Sequence, residues 1–194
     1  MNNMELLYLG SASPRRYELI GQMGILCKIL PFEMDEIMDQ EKSPENLALE
    51  LSRMKMEACI AHHGHPGWIV TADTLIALDD HKIGKPTDRE EARLMLSRMQ
   101  NRMHQVFTGV TLFRPDDRKI ISRWARTDVH FASMSKKEIE KYLDTEEWKG
   151  AAGAYRIQEK GGMFVISLNG SYFNVVGLPI NLLYGMLSQL KFSI

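Results

Sequence analysis

Apolar and polar positions follow two periods along the chain that predict interleaved strands and helices. Short apolar runs indicate strands, and apolar residues that recur every three or four positions indicate helices. The predicted strands are Glu5–Gly10, Cys27–Phe32, Trp68–Leu78, Met103–Phe113, Lys119–Phe131 and Met163–Leu168. The predicted helices run from Ser13 to Gly24, onward from Ser43, and over Asp88–Met99, Ser135–Leu143 and Leu182–Leu190. Because no internal repeat or linker-like break interrupts this order, it predicts a single α/β domain over residues 1–194.

The helix that begins at Ser43-Pro44 has apolar residues at helical spacing, which predicts one buried face. The residues expected on that face are Leu47, Leu51, Met54 and Ala58. Arg53, Lys55 and Glu57 are expected on the polar side of the helix or at its edges.

The connecting segments also carry expectations. Asp79-Asp80 predicts a hairpin turn after the apolar strand Trp68–Leu78. Asn169–Tyr172 is predicted to be a loop, and Met34–Glu41 an acidic loop. The side chains of Gly150–Ala154 are too small for ordinary core, so this segment is expected to be a glycine-rich turn.

The composition is that of a folded cytosolic domain: 44% of the residues are hydrophobic, 25% are charged and the net charge is -1. Cys27 and Cys59 lie far apart in the chain and are interpreted as reduced thiols. No signal peptide or membrane-spanning run is recognised, so we expect a soluble, cytoplasmic protein without a membrane partner. A near-neutral chain also lacks the basic excess that binds nucleic-acid polymers, although a local basic cluster could hold a small anion.

The first candidate site joins a strand end to a helix start, in the segment Leu9–Arg16. Helix amino-terminal N–H groups and guanidinium groups bind phosphate, and small residues such as Ser11 and Ser13 let the backbone approach it. This pattern predicts an anion site with Arg15 and Arg16 as its cations. The alternative is a plain helix cap with two solvated arginines.

Asp73 is the second candidate, because it lies inside an otherwise apolar strand. A carboxylate in such a place is paired, binds a metal ion or has a shifted pKa. The alternative is that it forms structural hydrogen bonds with a neighbouring loop. Lys85, in Gly84-Lys85-Pro86, could supply a cation to the same cleft, or it could be an ordinary turn lysine. The Gly-Lys pair does not start a nucleotide-binding P-loop, because Pro86 stands where that motif has Ser or Thr.

The third candidate consists of two glycine-rich turns around a strand, at 152–158 and 170–179. Such turns let the backbone approach a planar ligand, and Gln158 carries both a donor and an acceptor for the edge of a base. The alternative is a hairpin with structural glycines.

Taken together, these segments resemble the Maf family in order and spacing over essentially the whole chain. The motifs are S-A-S-P-R-R, A-D-T, G-K-P, H-Q-V-F-T-G-V, A-G-A-Y-R-I-Q and G-S-Y-F-N-V-V-G-L-P. The resemblance implies a mixed sheet with flanking helices and two lobes around a cleft, like inosine triphosphate pyrophosphatase. It also implies hydrolysis of a free nucleoside triphosphate to the monophosphate and pyrophosphate, with Mg²⁺ or Mn²⁺ as cofactor and dTTP or UTP as substrate.

The resemblance further implies roles for individual residues. The implied phosphate-binding residues are Arg15, Arg16, Lys85, Lys55, Ser11 and Ser13. The implied catalytic residue is Asp73, acting as base or as metal ligand together with Glu36. The implied determinants of base preference are Arg15, Thr74 and Gln158. Nothing in the sequence sets the oligomeric state, and a homodimer is the working hypothesis.

The chain departs from the family pattern beside the implied base pocket. Gly150-Ala151 replaces a frequent Asp-Lys pair, Arg156 replaces a frequent Gly, and Glu159 replaces the Gly that often follows the Gln. These changes bear on the choice of base more than on the reaction. Two other functions are therefore considered: a non-catalytic regulator of septum formation, and a purine-directed pyrophosphatase on the same fold.

Overall fold

A seven-stranded mixed sheet forms the centre of the molecule. The structure, a computed structural model, describes residues 5–32, 34, 39–79 and 81–193. The strands are β1 (Leu7–Leu9), β2 (Cys27–Ile29), β3 (Trp68–Leu78), β4 (His81–Ile83), β5 (Met103–Arg114), β6 (Lys119–Phe131) and β7 (Val165–Asn169). The helices are α1 (Pro14–Gln22), α2 (Pro44–His63), α3 (Arg89–Met99), α4 (Lys136–Leu143), α5 (Tyr172–Val176) and α6 (Ile180–Gln189). Two short 3-10 turns, Ala152–Ala154 and Lys160–Phe164, precede β7.

The strand order creates a gap along one edge of β3. The order is β2-β1-β3-β5-β6-β7, with β1 parallel to both of its neighbours and the longer strands antiparallel. On one side β3 pairs with β5 from Ile69 to Ala77. On the other side β1 pairs only with Trp68–Val70, and β4 pairs only with Ile76–Leu78. Within the described chain, residues 71–75 therefore have no strand partner on that side.

The two faces of the sheet are covered by different helices, as the alternation of β3 shows. Its odd-numbered residues from Ile69 to Ala77 face α2. Its even-numbered residues at 68–72 pack with α1 and α6, whereas Ile76 and Leu78 pack with α3 and α4. Thr74 lies between these two cores. This arrangement confirms the predicted mixed sheet with flanking helices and two lobes.

The predicted buried face of α2 is confirmed at Leu47 and Leu51, whereas Met54 is exposed and Ala58 is only partly buried. Met54 is 36% exposed, whereas Lys55 is only 9% exposed. The residues of α2 that the structure buries are Leu47, Ala48, Leu51, Ser52, Lys55, Met56 and Cys59. The apolar pattern placed Lys55 on the polar side of the helix or at its edge, because an isolated ammonium group is costly to bury. Here the ammonium group is paired with the buried carboxylate of Asp73, so the side of α2 that carries Lys55 can face the sheet.

Other differences between prediction and structure lie near the carboxyl end and at strand ends. The predicted loop at Asn169–Tyr172 is confirmed only at residues 170–171, because β7 includes Asn169 and Tyr172 begins α5. The Ser171 side chain caps this helix by accepting a hydrogen bond from the Asn174 N–H. The strand β7 begins later than predicted because a 3-10 turn occupies Lys160–Phe164. It pairs with β6, so the alternative of a hairpin within this region is also wrong. The strands β1 and β2 are shorter than predicted, and α6 begins two residues earlier.

The segment Gly150–Ala154 contributes to the core, contrary to expectation. Ala154 is fully buried in the cluster that contains Ile76 and Met99. Gly153 has a φ of 67°, and a side chain there would overlap Ile76. Small residues are needed here because the turn packs directly against β3 and α3.

The predicted hairpin after β3 is formed by β4, although Asp80 lies outside the described residues. The helix α4 has the predicted cap, since Ser135 and Glu138 form a reciprocal capping box. Cys59 is buried and Cys27 is partly buried, and both thiols are free. No helix in the described ranges is both long enough and apolar enough to cross a bilayer.

Candidate active site

A cleft of about 410 Å³ opens at the gap in β3. Asp73 and Thr74 lie at this gap, on opposite faces of the strand. All the described residues that the sequence assigned to the site line the cleft: Ser11, Ser13, Arg15, Arg16, Lys55, Asp73, Thr74, Lys85 and Gln158. Glu36 lies outside the described residues. The fold thus brings together side chains from five separate segments.

The cleft carries a large excess of positive charge. Its cationic lining residues are Arg15, Arg16, Lys55, Lys85, Lys149 and Arg156. Among the described lining residues, Asp73 is the one acidic side chain. A cluster of this kind is complementary to an anion with several charges.

Asp73 is paired with Lys55 beneath the helix α2. The Asp73 side chain is almost completely buried and accepts a hydrogen bond from the Lys55 ammonium group. A positive charge in direct contact stabilises the ionised form of a carboxylate in the protein interior. Of the alternatives that the sequence left open for Asp73, the structure shows a buried carboxylate paired with a lysine.

Gly109 allows α2 to approach close enough for this pair to form. It lies opposite Asp73 in the register of β3 and β5. A Cβ atom at Gly109 would overlap the carbonyl oxygen of Ala48 in α2. The helix backbone therefore rests directly on the sheet, two turns before Lys55.

Arg16 links three parts of the cleft. Its Nε donates to the carbonyl oxygen of Gly177 at 2.9 Å, one terminal nitrogen donates to Ser11 Oγ at 3.1 Å, and the other donates to Thr74 Oγ1 at 3.2 Å. The planar guanidinium group has donors in all three directions. Arg16 therefore helps to build the cleft wall, which rules out the alternative of a solvated helix-cap arginine at this position.

The amino-terminal turn of α1 faces the cleft. Ser13 is the residue before the helix, and its N–H donates to Ser11 Oγ at 3.2 Å. Arg15 lies in the first turn, where burial, Arg156 and Arg16 lower the pKa of its guanidinium group, in that order of importance. Burial and like charges both disfavour the cationic form, so an anion bound here would relieve an unfavourable arrangement.

The Thr74 hydroxyl group forms hydrogen bonds within the cleft wall, in addition to its predicted role in base preference. Its hydroxyl group lies 3.0 Å from Thr108 Oγ1, in addition to its contact with Arg16. Thr108 in turn donates to the carbonyl oxygen of Asn174 at 3.2 Å. Thr74 therefore links β3 and β5 to α5, which forms one rim of the cleft.

Lys85 and the turn at 152–154 form the opposite rim. The Gly153 N–H donates to the carbonyl oxygen of Gly84 at 2.9 Å, so the two glycine-containing segments are joined next to Lys85. Gln158 follows in the same wall and is exposed to the cleft.

Tyr155 supports this wall from below. Its ring is buried, and its hydroxyl group lies 2.9 Å from His104 Nε2. Burial lowers the pKa of His104 to about 4, so the imidazole is neutral at pH 7. His104 Nδ1 is buried and has no partner within the described residues.

Arg156 and Lys149 were not assigned to the site from the sequence, yet both line the cleft. In the sequence, Arg156 is recognisable only as a departure from the family pattern. Lys149 belongs to none of the motifs, so nothing in the sequence indicates that it lines a cleft. Val175 and Val176 lie in the proposed segment 170–179, but the apolar lining residues Ile76 and Val106 were missed. They belong to distant elements, so no local pattern indicates that they meet.

The donor set of the cleft fits a hard divalent cation held jointly with a ligand. No group of three His, Cys, Asp or Glu side chains in the described ranges could hold a metal ion by itself. Mg²⁺, however, commonly binds through one or two carboxylates together with phosphate oxygens of a substrate. Asp73 could supply such a carboxylate, and the surrounding cations are complementary to phosphate groups.

Comparison with known proteins gives consistent matches over the whole chain. A family model described as Maf-like protein matches residues 6–190. The chain is 42% identical over 183 residues to the dTTP/UTP pyrophosphatase of Carboxydothermus hydrogenoformans, covering 94% of this chain and 97% of the relative. It is 41% identical over 192 residues to the dTTP/UTP pyrophosphatase of Symbiobacterium thermophilum, covering 98% and 97%.

Among solved structures, the Staphylococcus aureus Ham1 protein has a similar fold. The TM-score is 0.53 at 15% sequence identity, and the match covers 96% of this chain and 100% of that chain. At this identity the likeness concerns the fold alone.

Proposed function

Because the chain belongs to the Maf-like family, we propose that it is a nucleoside triphosphate pyrophosphatase that hydrolyses dTTP and UTP to their monophosphates and pyrophosphate. The observation that carries this proposal is the cleft at the gap in β3, where one buried carboxylate meets cations from several segments. The choice of dTTP and UTP comes from the names of the relatives.

The cations of the cleft bind the triphosphate. Arg15, Arg16 and Lys85 approach the cleft from two sides, the first two at the start of α1 and the third beside β4. Cleaving a phosphoanhydride bond mainly requires neutralising the charge of the phosphates and aligning a water molecule with the leaving group. Guanidinium groups provide several donors in fixed directions, which favours such alignment.

Asp73 is the residue that activates the water. Its carboxylate accepts the proton while the water oxygen bonds to the α-phosphorus, and the bond between this phosphorus and the α–β bridging oxygen breaks. Pyrophosphate leaves and the monophosphate remains. Lys55 holds the Asp73 carboxylate in one orientation. Asp73 would hold a bound Mg²⁺ or Mn²⁺, and such an ion would withdraw charge from the reacting phosphate.

Base preference is assigned to the wall of the cleft that carries Gln158. The Gln158 side chain is exposed in the cleft, and its amide carries both a donor and an acceptor. Thr74 and Arg15 line the same cleft. We assign recognition of the base edge to Gln158. We assign to Thr74 and Arg15 the positioning of the cleft wall around the base. The free thiols Cys27 and Cys59 are compatible with a reducing, cytoplasmic setting, and a homodimer stays a prediction.

The proposal is tested by pyrophosphate release from a panel of purified nucleotides. The panel contains dTTP, UTP, CTP, dGTP and ITP, each with EDTA, Mg²⁺ or Mn²⁺, and wild-type protein is compared with Asp73→Asn. We expect metal-dependent release from dTTP and UTP, which Asp73→Asn loses. Faster release from the purines would instead support the purine-directed enzyme. No release from any nucleotide would support the regulator of septum formation.

A further inference from the structure

Arg156 lies in the wall of the cleft in a restrained position. One terminal nitrogen donates to Glu159 Oε1 at 3.2 Å, and the other donates to the carbonyl oxygen of Lys149 at 2.9 Å. The side chain is 27% exposed, and its Nε is buried without a hydrogen-bond partner in the described chain. A guanidinium group held at two points loses little freedom when a ligand binds.

Arg156 and Arg15 line the same cleft. Arg156 is the strongest like-charge influence that lowers the pKa of Arg15, ahead of Arg16. Glu159 and Glu18 act in the opposite sense, but with smaller effect. Three guanidinium groups thus line one cleft, two of them from the first turn of α1.

The charge of this cluster indicates what kind of ligand group belongs there. Like charges in a partly buried cleft repel each other, and a neutral base cannot offset that repulsion. A phosphate group can, because it accepts charge-assisted hydrogen bonds from two guanidinium groups at once. The helix amino terminus adds to the same preference.

Building on the proposed function, we propose that Arg156 is a substrate-binding residue that holds the phosphate chain of the nucleotide together with Arg15, and that Glu159 positions it. The side chain of Arg156 then acts on the phosphates and not on the base. Its contribution is independent of which base the nucleotide carries.

Inorganic tripolyphosphate is the probe that separates a phosphate contact from a base contact. Its binding is measured by calorimetry in EDTA and in Mg²⁺, beside KM and kcat for UTP. We expect Arg156→Gln to weaken tripolyphosphate binding and to raise KM for UTP by a similar factor of about ten, the loss of a charge-assisted hydrogen bond. Arg98→Gln, which removes one exposed charge on α3, is the matched control and should change neither value.

Glu159→Gln tests the positioning role and excludes a purely structural one. If the Arg156–Glu159 pair only stabilises the wall, both variants lower stability and alter binding in the same direction. We expect opposite directions, because the amide oxygen in Glu159→Gln still accepts the hydrogen bond that positions Arg156, while loss of the negative charge tightens tripolyphosphate binding about twofold to threefold. Glu159→Ala, which also removes the acceptor, should lose this gain.

Several results would overturn the assignment of Arg156. These are unchanged tripolyphosphate binding in Arg156→Gln, an effect confined to UTP, and no tripolyphosphate binding by the wild-type protein in either buffer. If the wild-type protein binds tripolyphosphate through Arg156 but hydrolyses no nucleotide, the proposed function fails while the phosphate contact stands.

Discussion

Lys55 and Asp73, which are 18 positions apart in the chain, form a buried ion pair at the gap in the central strand. The lysine comes from α2 and the aspartate from β3, so the pair fixes the helix over the part of the sheet that has no strand neighbour on one side. The pair is also the place where stability and the proposed chemistry depend on the same two side chains.

Replacing Asp73 with Asn should abolish turnover while nucleotide binding is largely kept. The amide has nearly the same shape but cannot accept a proton from water, so we expect kcat to fall by at least about a hundredfold. The measurements are pyrophosphate release and calorimetric titration with UTP. Asp116→Asn, in an exposed turn, serves as the control. Turnover like that of the wild-type protein would remove Asp73 from its catalytic role.

Replacing Lys55 with Met should cost more stability than replacing both members of the pair. The single change leaves the Asp73 carboxylate buried without this cation, which lowers the free energy of unfolding by about 3 kcal/mol. In a double-mutant cycle with Asp73→Asn, measured by urea unfolding in EDTA, we expect a coupling of at least about 1 kcal/mol. Additive effects would mean that the two side chains do not depend on each other.

Arg16→Lys should lower both the stability and the activity of the protein, although it keeps the positive charge. A lysine ammonium group cannot reach Ser11, Thr74 and Gly177 together as the guanidinium group does. We expect the free energy of unfolding to fall by about 2 kcal/mol, together with a lower kcat/KM. Arg15→Lys is the comparison and should leave urea unfolding unchanged. Equal unfolding curves for Arg16→Lys and the wild-type protein would show that the three contacts are not needed for stability.

Gln158→Ala should change base preference without affecting stability. The side chain is exposed in the cleft, so its removal disturbs no packing. We expect the ratio of kcat/KM for UTP to that for CTP to shift by about tenfold, the scale of one or two lost hydrogen bonds. Lys160→Ala, an exposed neighbour, provides the baseline. An unchanged ratio would remove Gln158 from the base contact.

Acid should destabilise the protein through His104. Its pKa in the folded protein is about 4, below the ordinary 6.5, because the ring is buried. Between these two pH values the unfolded chain binds a proton that the folded protein does not, so stability is full above pH 6.5 and falls as the pH drops towards 4. The loss attributable to His104 approaches about 3 kcal/mol. Urea unfolding at pH 7.5 and pH 4.5 should show a smaller loss for His104→Gln than for the wild-type protein; equal losses would contradict this account.

Much of the fold was predictable because its local signals agree. The long apolar strand β3, the capped helix α4 and the Ser-Pro starts of α1 and α2 each have sequence patterns with a direct physical cause. The carboxylate of Asp73 was recognisable as unusual for the same reason, since an apolar strand does not tolerate an unpaired charge.

The remaining features depend on contacts between distant segments. Nothing near Lys55 in the sequence indicates that its partner lies in β3, and so the sequence pattern places Lys55 on the polar side of α2 or at its edge. Arg16 likewise binds the carbonyl oxygen of Gly177, which is 161 positions away. The helix α5 was missed because five residues between two glycines carry too little periodicity to predict a helix.

Gly109 shows how a residue without a side chain can limit the evolution of a reaction in which it takes no part. Any larger amino acid at this position would push the α2 backbone away from the sheet and draw the ammonium group of Lys55 off its carboxylate. Substitutions can therefore alter the rims of the cleft that contact the nucleotide. The spacing between the central sheet and α2, in contrast, cannot change without separating Lys55 from Asp73.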